Sequence, residues 1–95
     1  MSIVIEQALD ALKEKMSGAG FDGSAKFSIE GEGSVIMDAN GVRASDEDAE
    51  VNLIATADVF QDIMAGDLDP TSAFMSGKLR IEGDMGTAMR LSSVL

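Results

Sequence analysis

Chemistry in this chain has to come from carboxylates, hydroxyls, amides and seven basic side chains, because the sequence holds neither histidine nor cysteine. The commonest general base, the strongest nucleophile and the usual transition-metal ligands are therefore all missing. Disulfides and thiolate metal sites go with them, in keeping with a reducing compartment. The carboxylates form one run, Asp46-Glu47-Asp48. It lacks the ligand spacing and central glycine of a calcium loop, so it reads as a solvated turn. Residues Gly18 to Gly23 (GAGFDG) match the pattern G-x-G-x-x-G. That fingerprint needs a strand before it and a helix after it; here the order is reversed, so the match carries no dinucleotide chemistry. Nothing pairs a surface carboxylate with a second catalytic group, and the expectation is a protein that is not an enzyme and uses no metal or cofactor.

The charge distribution narrows the partners. Seventeen acids against seven basic residues give a net charge of −10, the wrong sign for nucleic acid, whose affinity comes largely from neutralising phosphates. Residues 1–68 carry 14 acids and 4 basic residues, whereas Asp69, Glu82 and Asp84 are balanced by Lys78, Arg80 and Arg90. Transient docking on an anionic membrane would have to use the C-terminal part; otherwise the acids are a solvated surface that favours solubility. No stretch approaches the roughly 20 apolar residues of a membrane span, and Glu6 and Asp10 interrupt the N-terminal apolar pattern, so it is no signal peptide. The expectation is a single domain over residues 1–95, acting in the cytoplasm, with a modest core.

The elements follow from periodicity. Ile5, Ala8, Leu9, Leu12 and Met16 recur at helical spacing, which predicts an amphipathic helix over Ser2 to Ser17 with Ser2 as a cap. Phe27 and Ile29 then share a strand face, as do Val35 and Met37, and Asn40-Gly41 signals a two-residue hairpin into Val42 to Ser45. Val51, Leu53 and Ala55 make a fourth strand, more buried than the others because Ile54 makes its second face partly apolar. Thr56 or Asp58 caps the next helix, with Val59, Phe60, Ile63 and Met64 inward and Gly66 as its stop. Asp69-Pro70 starts a short helix that Gly77 stops; Lys78 to Glu82 alternate as a strand, and Met85 to Leu95 is a terminal helix. Met85, Ala88, Met89, Leu91, Val94 and Leu95 leave that last helix only a narrow polar strip, so it needs cover on more than one side. Core, bound ligand or partner would supply it. The sum is an α+β domain, one mostly antiparallel sheet with its helices on one face.

The segment from Asp69 onward resembles the signature region of the sterol carrier protein-2 family of non-specific lipid-transfer domains. The family hallmark runs from an Asn- or Asp-Pro helix start, through A-F-x-x-G-K-L-x-I-x-G, to M-G-x-A-M-x-L. Here these read Asp69-Pro70, AFMSGKLRIEG from Ala73 to Gly83, and MGTAMRL from Met85 to Leu91. The order of the earlier elements agrees too. The resemblance implies a five-stranded sheet in the order 3-2-1-4-5, with helices enclosing an apolar tunnel for fatty acids, acyl-CoA, phospholipids or sterols. It implies that the last helix walls or closes the tunnel, so that Met85, Ala88 and Met89 touch ligand, with Phe74 and Met75 at one end and Phe60 and Met64 on the preceding helix. Six methionines beyond the initiator suit such a wall, since unbranched thioethers repack around ligands of different shape; equally, they fill gaps in a core. The sequence ends at Leu95 without a Ser-Lys-Leu peroxisomal address, and a compact acidic form points to a bacterial protein that takes acyl chains rather than sterols.

Two functions remain in view: lipid binding and transfer by a non-catalytic carrier, or an interaction module that uses the same apolar surface for a protein partner or a homodimer. A polar contact for a lipid head group falls to Lys78, Arg80 or Arg90, although strand alternation turns Lys78 and Arg80 away from Leu79 and Ile81, toward a solvated sheet face.

Overall fold

Strand alternation builds one buried sheet face. The computed structural model describes residues 3–16, 21 and 23–94; the Ser2 cap, the expected helix stop at 17–20 and Leu95 lie outside them, as do the Met16 and Val94 side chains. Strands β1 (Ala25–Ile29), β2 (Gly33–Asp38), β3 (Gly41–Ala44), β4 (Val51–Ala55) and β5 (Arg80–Gly83) form a mixed sheet in the order β3-β2-β1-β4-β5. Only β1 and β4 run parallel; the other neighbours are antiparallel. The register sets Phe27 between Val35 and Leu53, and Ala25 between Met37 and Val51. All six are buried, so the side-chain period of two gives three central strands one common apolar face.

Helices α1 (Ile3–Met16), α2 (Ala57–Ala65), α3 (Pro70–Met75) and α4 (Met85–Val94) cover that face. Ile5 and Leu12 of α1, Phe60 and Ile63 of α2, Ala73 of α3, and Ala88 and Leu91 of α4 join the strand residues in a single cluster. The expected α+β class and strand order are those observed.

The opposite face carries the crossover. β3 and β4 lie at different places in the sheet, and residues 45–50 connect them without a helix. Asp46 anchors this segment, lying 3.1 Å from the Lys26 ammonium and accepting a hydrogen bond from the Ser34 hydroxyl at 3.0 Å. Arg43 reaches Asp38 at 2.8 Å and Glu47 at 3.1 Å. Asp46 and Glu47 of the acidic run are thus held by cations and hydroxyls. Ile36, flanked in register by Lys26 and Arg43, is buried on that side.

Two boundaries differ from expectation and one agrees with it. The β2–β3 loop residues are Ala39 and Asn40, not Asn40 and Gly41, because Asp38 pairs with Gly41 and the Asp38 carboxylate closes the turn by accepting from the Asn40 N–H at 2.9 Å. Helix α3 stops as expected: Ser76 is its C-cap and Gly77 takes the left-handed conformation at φ of 81°, its N–H donating to the Phe74 carbonyl while the Lys78 N–H donates to the Ala73 carbonyl. β5 starts at Arg80, not Lys78, because the Lys78 and Leu79 N–H groups both donate to the Ala73 carbonyl and fold Leu79 into the core. At the far end of β5, Gly83 has φ of 110° and lies so close to the Glu50 carbonyl that a side chain would collide with it.

Candidate functional site

Thr56 starts α2, its hydroxyl oxygen accepting from the Val59 N–H at 3.4 Å, and Gly66 ends it. This fixes which stripe of α2 faces inward. Phe60 and Ile63 enter the core, and Met64 sits half-buried beside α1. On α1 the Ile5 and Leu12 stripe points down, leaving Val4, Ala8 and Ala11 toward α2. Alanines are too short to meet across the gap. Between the helices, with Ile29 beneath and Ala57 and Ala65 at the ends of α2, lies an apolar cavity of about 270 Å³ that is partly open to solvent. That volume is just below the ~300–1,000 Å³ usual for ligand sites. Only two polar residues line it. They are Gln7 and Gln61, both exposed, and the Gln61 amide donates to the Gln7 carbonyl oxygen at 3.5 Å across the two helices.

A second, smaller recess of about 150 Å³ lies between α3, β5 and α4, lined by Pro70, Thr71, Phe74, Ile81, Met85, Ala88 and Met89. The helix apolar over most of its circumference does have one inward stripe: Thr87, Ala88 and Leu91 are buried, while Met85 is 51% and Met89 73% exposed. Thr87 is a polar residue within that stripe. It is satisfied by Asp84, which caps α4: the Asp84 carboxylate accepts from the Thr87 N–H at 2.8 Å and from its hydroxyl at 2.6 Å. Arg90 donates back to the Thr87 hydroxyl oxygen at 3.1 Å. The Thr87 hydroxyl first, and its backbone N–H second, hold the Asp84 carboxyl below its ordinary value.

The seven residues expected to touch ligand therefore fall into two groups and one outlier. Phe60 and Met64 line the α1–α2 cavity; Phe74, Met85, Ala88 and Met89 line the α3–β5–α4 recess. The two recesses share no lining residue. Met75, 81% exposed, lines neither. Among the proposed head-group cations, Arg80 lies 2.8 Å from Glu82 on the exposed sheet surface, and neither Lys78 nor Arg80 lines either of these two recesses. Val4, Gln7, Ala8 and Ala11 were not anticipated; the signal was there in the small residues facing each other on α1 and α2. Among the described residues no group of three His, Cys, Asp or Glu side chains is placed to hold a metal ion.

Comparisons with known proteins bear on what such a site holds. A sequence model of the SCP-2 sterol transfer family matches residues 5–95. Hydroxysteroid dehydrogenase-like protein 2 from Xenopus tropicalis is 31% identical over 97 residues, covering 94% of this chain and 23% of that protein; the chain thus spans less than a quarter of the relative's length. The crystal structure of sterol carrier protein 2 like 2 from Aedes aegypti superposes with a TM-score of 0.83 at 18% identity, covering 98% of this chain and 97% of that one. Sterol carrier protein-2 from the same mosquito, solved as a complex with the C16 fatty acid palmitate, gives a TM-score of 0.76 at 20% identity, with 98% and 94% covered. At these identities the solved structures share the fold.

Proposed function

The chain belongs to the SCP-2 sterol transfer family, and from that premise we propose that it is a non-catalytic lipid-binding and transfer domain that withdraws an acyl chain from water. The observation that carries this reading is the apolar cavity between α1 and α2, whose lining is polar only at Gln7 and Gln61. A cavity of this kind releases little water-exposed polar surface on filling and gains the transfer energy of each methylene it takes in. The palmitate complex of the mosquito relative supports an acyl chain as the ligand class. In the proposal Phe60 and Met64 wall the chain, and Phe74, Met85, Ala88 and Met89 line the separate recess under α4. The setting is cytoplasmic, in keeping with a cysteine-free sequence.

Native mass spectrometry of freshly purified protein, together with thermal shifts across fatty acids, acyl-CoAs and phospholipids, tests the proposal. At a hundredfold excess over Kd a ligand stabilises the folded state by about 2.7 kcal/mol, a rise in Tm on the order of 10 °C for a domain this small. Ala8→Trp, which fills the cavity, removes the shift. No adduct and no shift with any lipid would overturn the reading.

A second reading, an interaction module or homodimer, is favoured by one observation: Phe74, Met75, Met85 and Met89 are all exposed on α3 and α4. Sedimentation separates the two, because this reading requires a complex or dimer that lipid does not dissolve.

A further inference from the structure

The polar rim of the α1–α2 cavity says which lipid it suits. Gln7 and Gln61 are its only polar lining residues, and each amide carries both a donor and an acceptor. They bond to one another at 3.5 Å, a long contact that a ligand group inserted between them would replace with shorter ones. The charge around them has one sign. Glu6 and Asp10 flank Gln7 on α1, Asp58 and Asp62 flank Gln61 on α2, and all four are exposed. The basic residues of α1, Lys13 and Lys15, lie in its last turn, where Lys15 and Glu14 line an adjoining groove that shares Ala11 and Met64 with the cavity, about two turns from Gln7. A carboxylate or phosphate at the Gln pair would meet neutral amides inside an acidic rim, on a chain whose net charge is −10. A hydroxyl or carboxamide meets no such opposition and matches both amides.

We propose that Gln7 and Gln61 are the head-group contacts of this cavity, and that its ligand class is uncharged single-chain lipids with a hydrogen-bonding head, such as fatty alcohols and fatty amides, in preference to ionised fatty acids. The proposal rests on the acyl-chain reading of the cavity and narrows it. A carboxylate accepts from both amides too, but only against the acidic rim; a net hydrogen bond is worth about 1 kcal/mol, roughly fivefold in affinity, so losing both contacts costs an uncharged head at least tenfold.

Calorimetric titration of the full chain with decanamide, 1-decanol and sodium decanoate at pH 7.4 tests it. Decanamide and 1-decanol bind at least tenfold more tightly than decanoate. In the Gln7→Leu/Gln61→Leu double variant, decanamide affinity falls about tenfold while decanoate changes by less than threefold. Gln61→Lys, which puts a cation at the same exposed position, reverses the order in favour of decanoate; circular dichroism reports that the variants are folded. Decanoate binding to the wild type as tightly as decanamide, or undiminished decanamide binding to the double variant, overturns the head-group assignment and leaves the acyl-chain reading standing. Failure of all three ligands to bind overturns both.

Discussion

The ring of Phe27 on β1 meets the ring of Phe60 on α2 edge to face, with centroids 5.8 Å apart and planes at 68°. The same Phe60 lines the α1–α2 cavity, so one side chain belongs to both core and site. Its packing on the sheet fixes the cavity wall. Edge-to-face pairs add about 0.5–1.5 kcal/mol to the burial of their rings.

Phe60→Ala removes that ring and joins new empty volume to the cavity. The expected loss is about 3–5 kcal/mol, a large part of the 5–15 kcal/mol available to a small domain. Urea unfolding followed by circular dichroism measures it. A loss under 1 kcal/mol would mean the ring is not part of the core.

Acid should weaken α4 through its cap. The Asp84 carboxyl is held below its ordinary value of 3.8 in the folded chain by Thr87, so its contribution to stability is complete above the unfolded value and is lost as pH falls below about 3.8 through the lowered folded one. Asp84→Asn keeps a capping oxygen but removes the titration. The Tm of the variant should fall less steeply than that of the wild type between pH 5 and pH 3. Parallel curves would show that Asp84 contributes nothing to the acid limb.

Chain length should show a break. Each added methylene is worth about 0.8 kcal/mol, close to fourfold in affinity, for as long as the cavity has room. A methylene takes up about the ~30 Å³ share of a water molecule, so 270 Å³ corresponds to roughly nine carbons. In a series of primary alcohols from hexanol to tetradecanol, affinity should climb steeply to about C10 and flatten beyond it. An unbroken rise to C14 would place the chain in a longer channel than this cavity.

Much of the fold is legible in local chemistry. Thr56 and Asp69 are caps by residue type and cap as expected, and the alternation of Phe27, Ile29, Val51 and Leu53 marks the inner sheet face. The parallel pairing of β1 with β4 is not contained in either strand's own pattern; it arises because residues 45–50 cross the outer face, held by Asp46. The site was less legible. An α4 with apolar residues nearly all round does not say which stripe is inward, and the burial of Thr87 depends on a partner, Asp84, that lies just before the helix. The cavity is made by what the alanines of α1 and α2 leave unfilled, and absent volume has no periodicity of its own.

Methionine methyl groups distinguish the two recesses directly. Met64 lines the α1–α2 cavity, and Met85 and Met89 line the recess under α4. With 13C-methyl methionine and methionine-to-leucine variants for assignment, titration with 1-decanol should move the Met64 resonance in a saturable way and leave Met85 and Met89 unmoved. Movement of Met85 and Met89 with Met64 unchanged would contradict the assignment of the acyl chain to the cavity between α1 and α2.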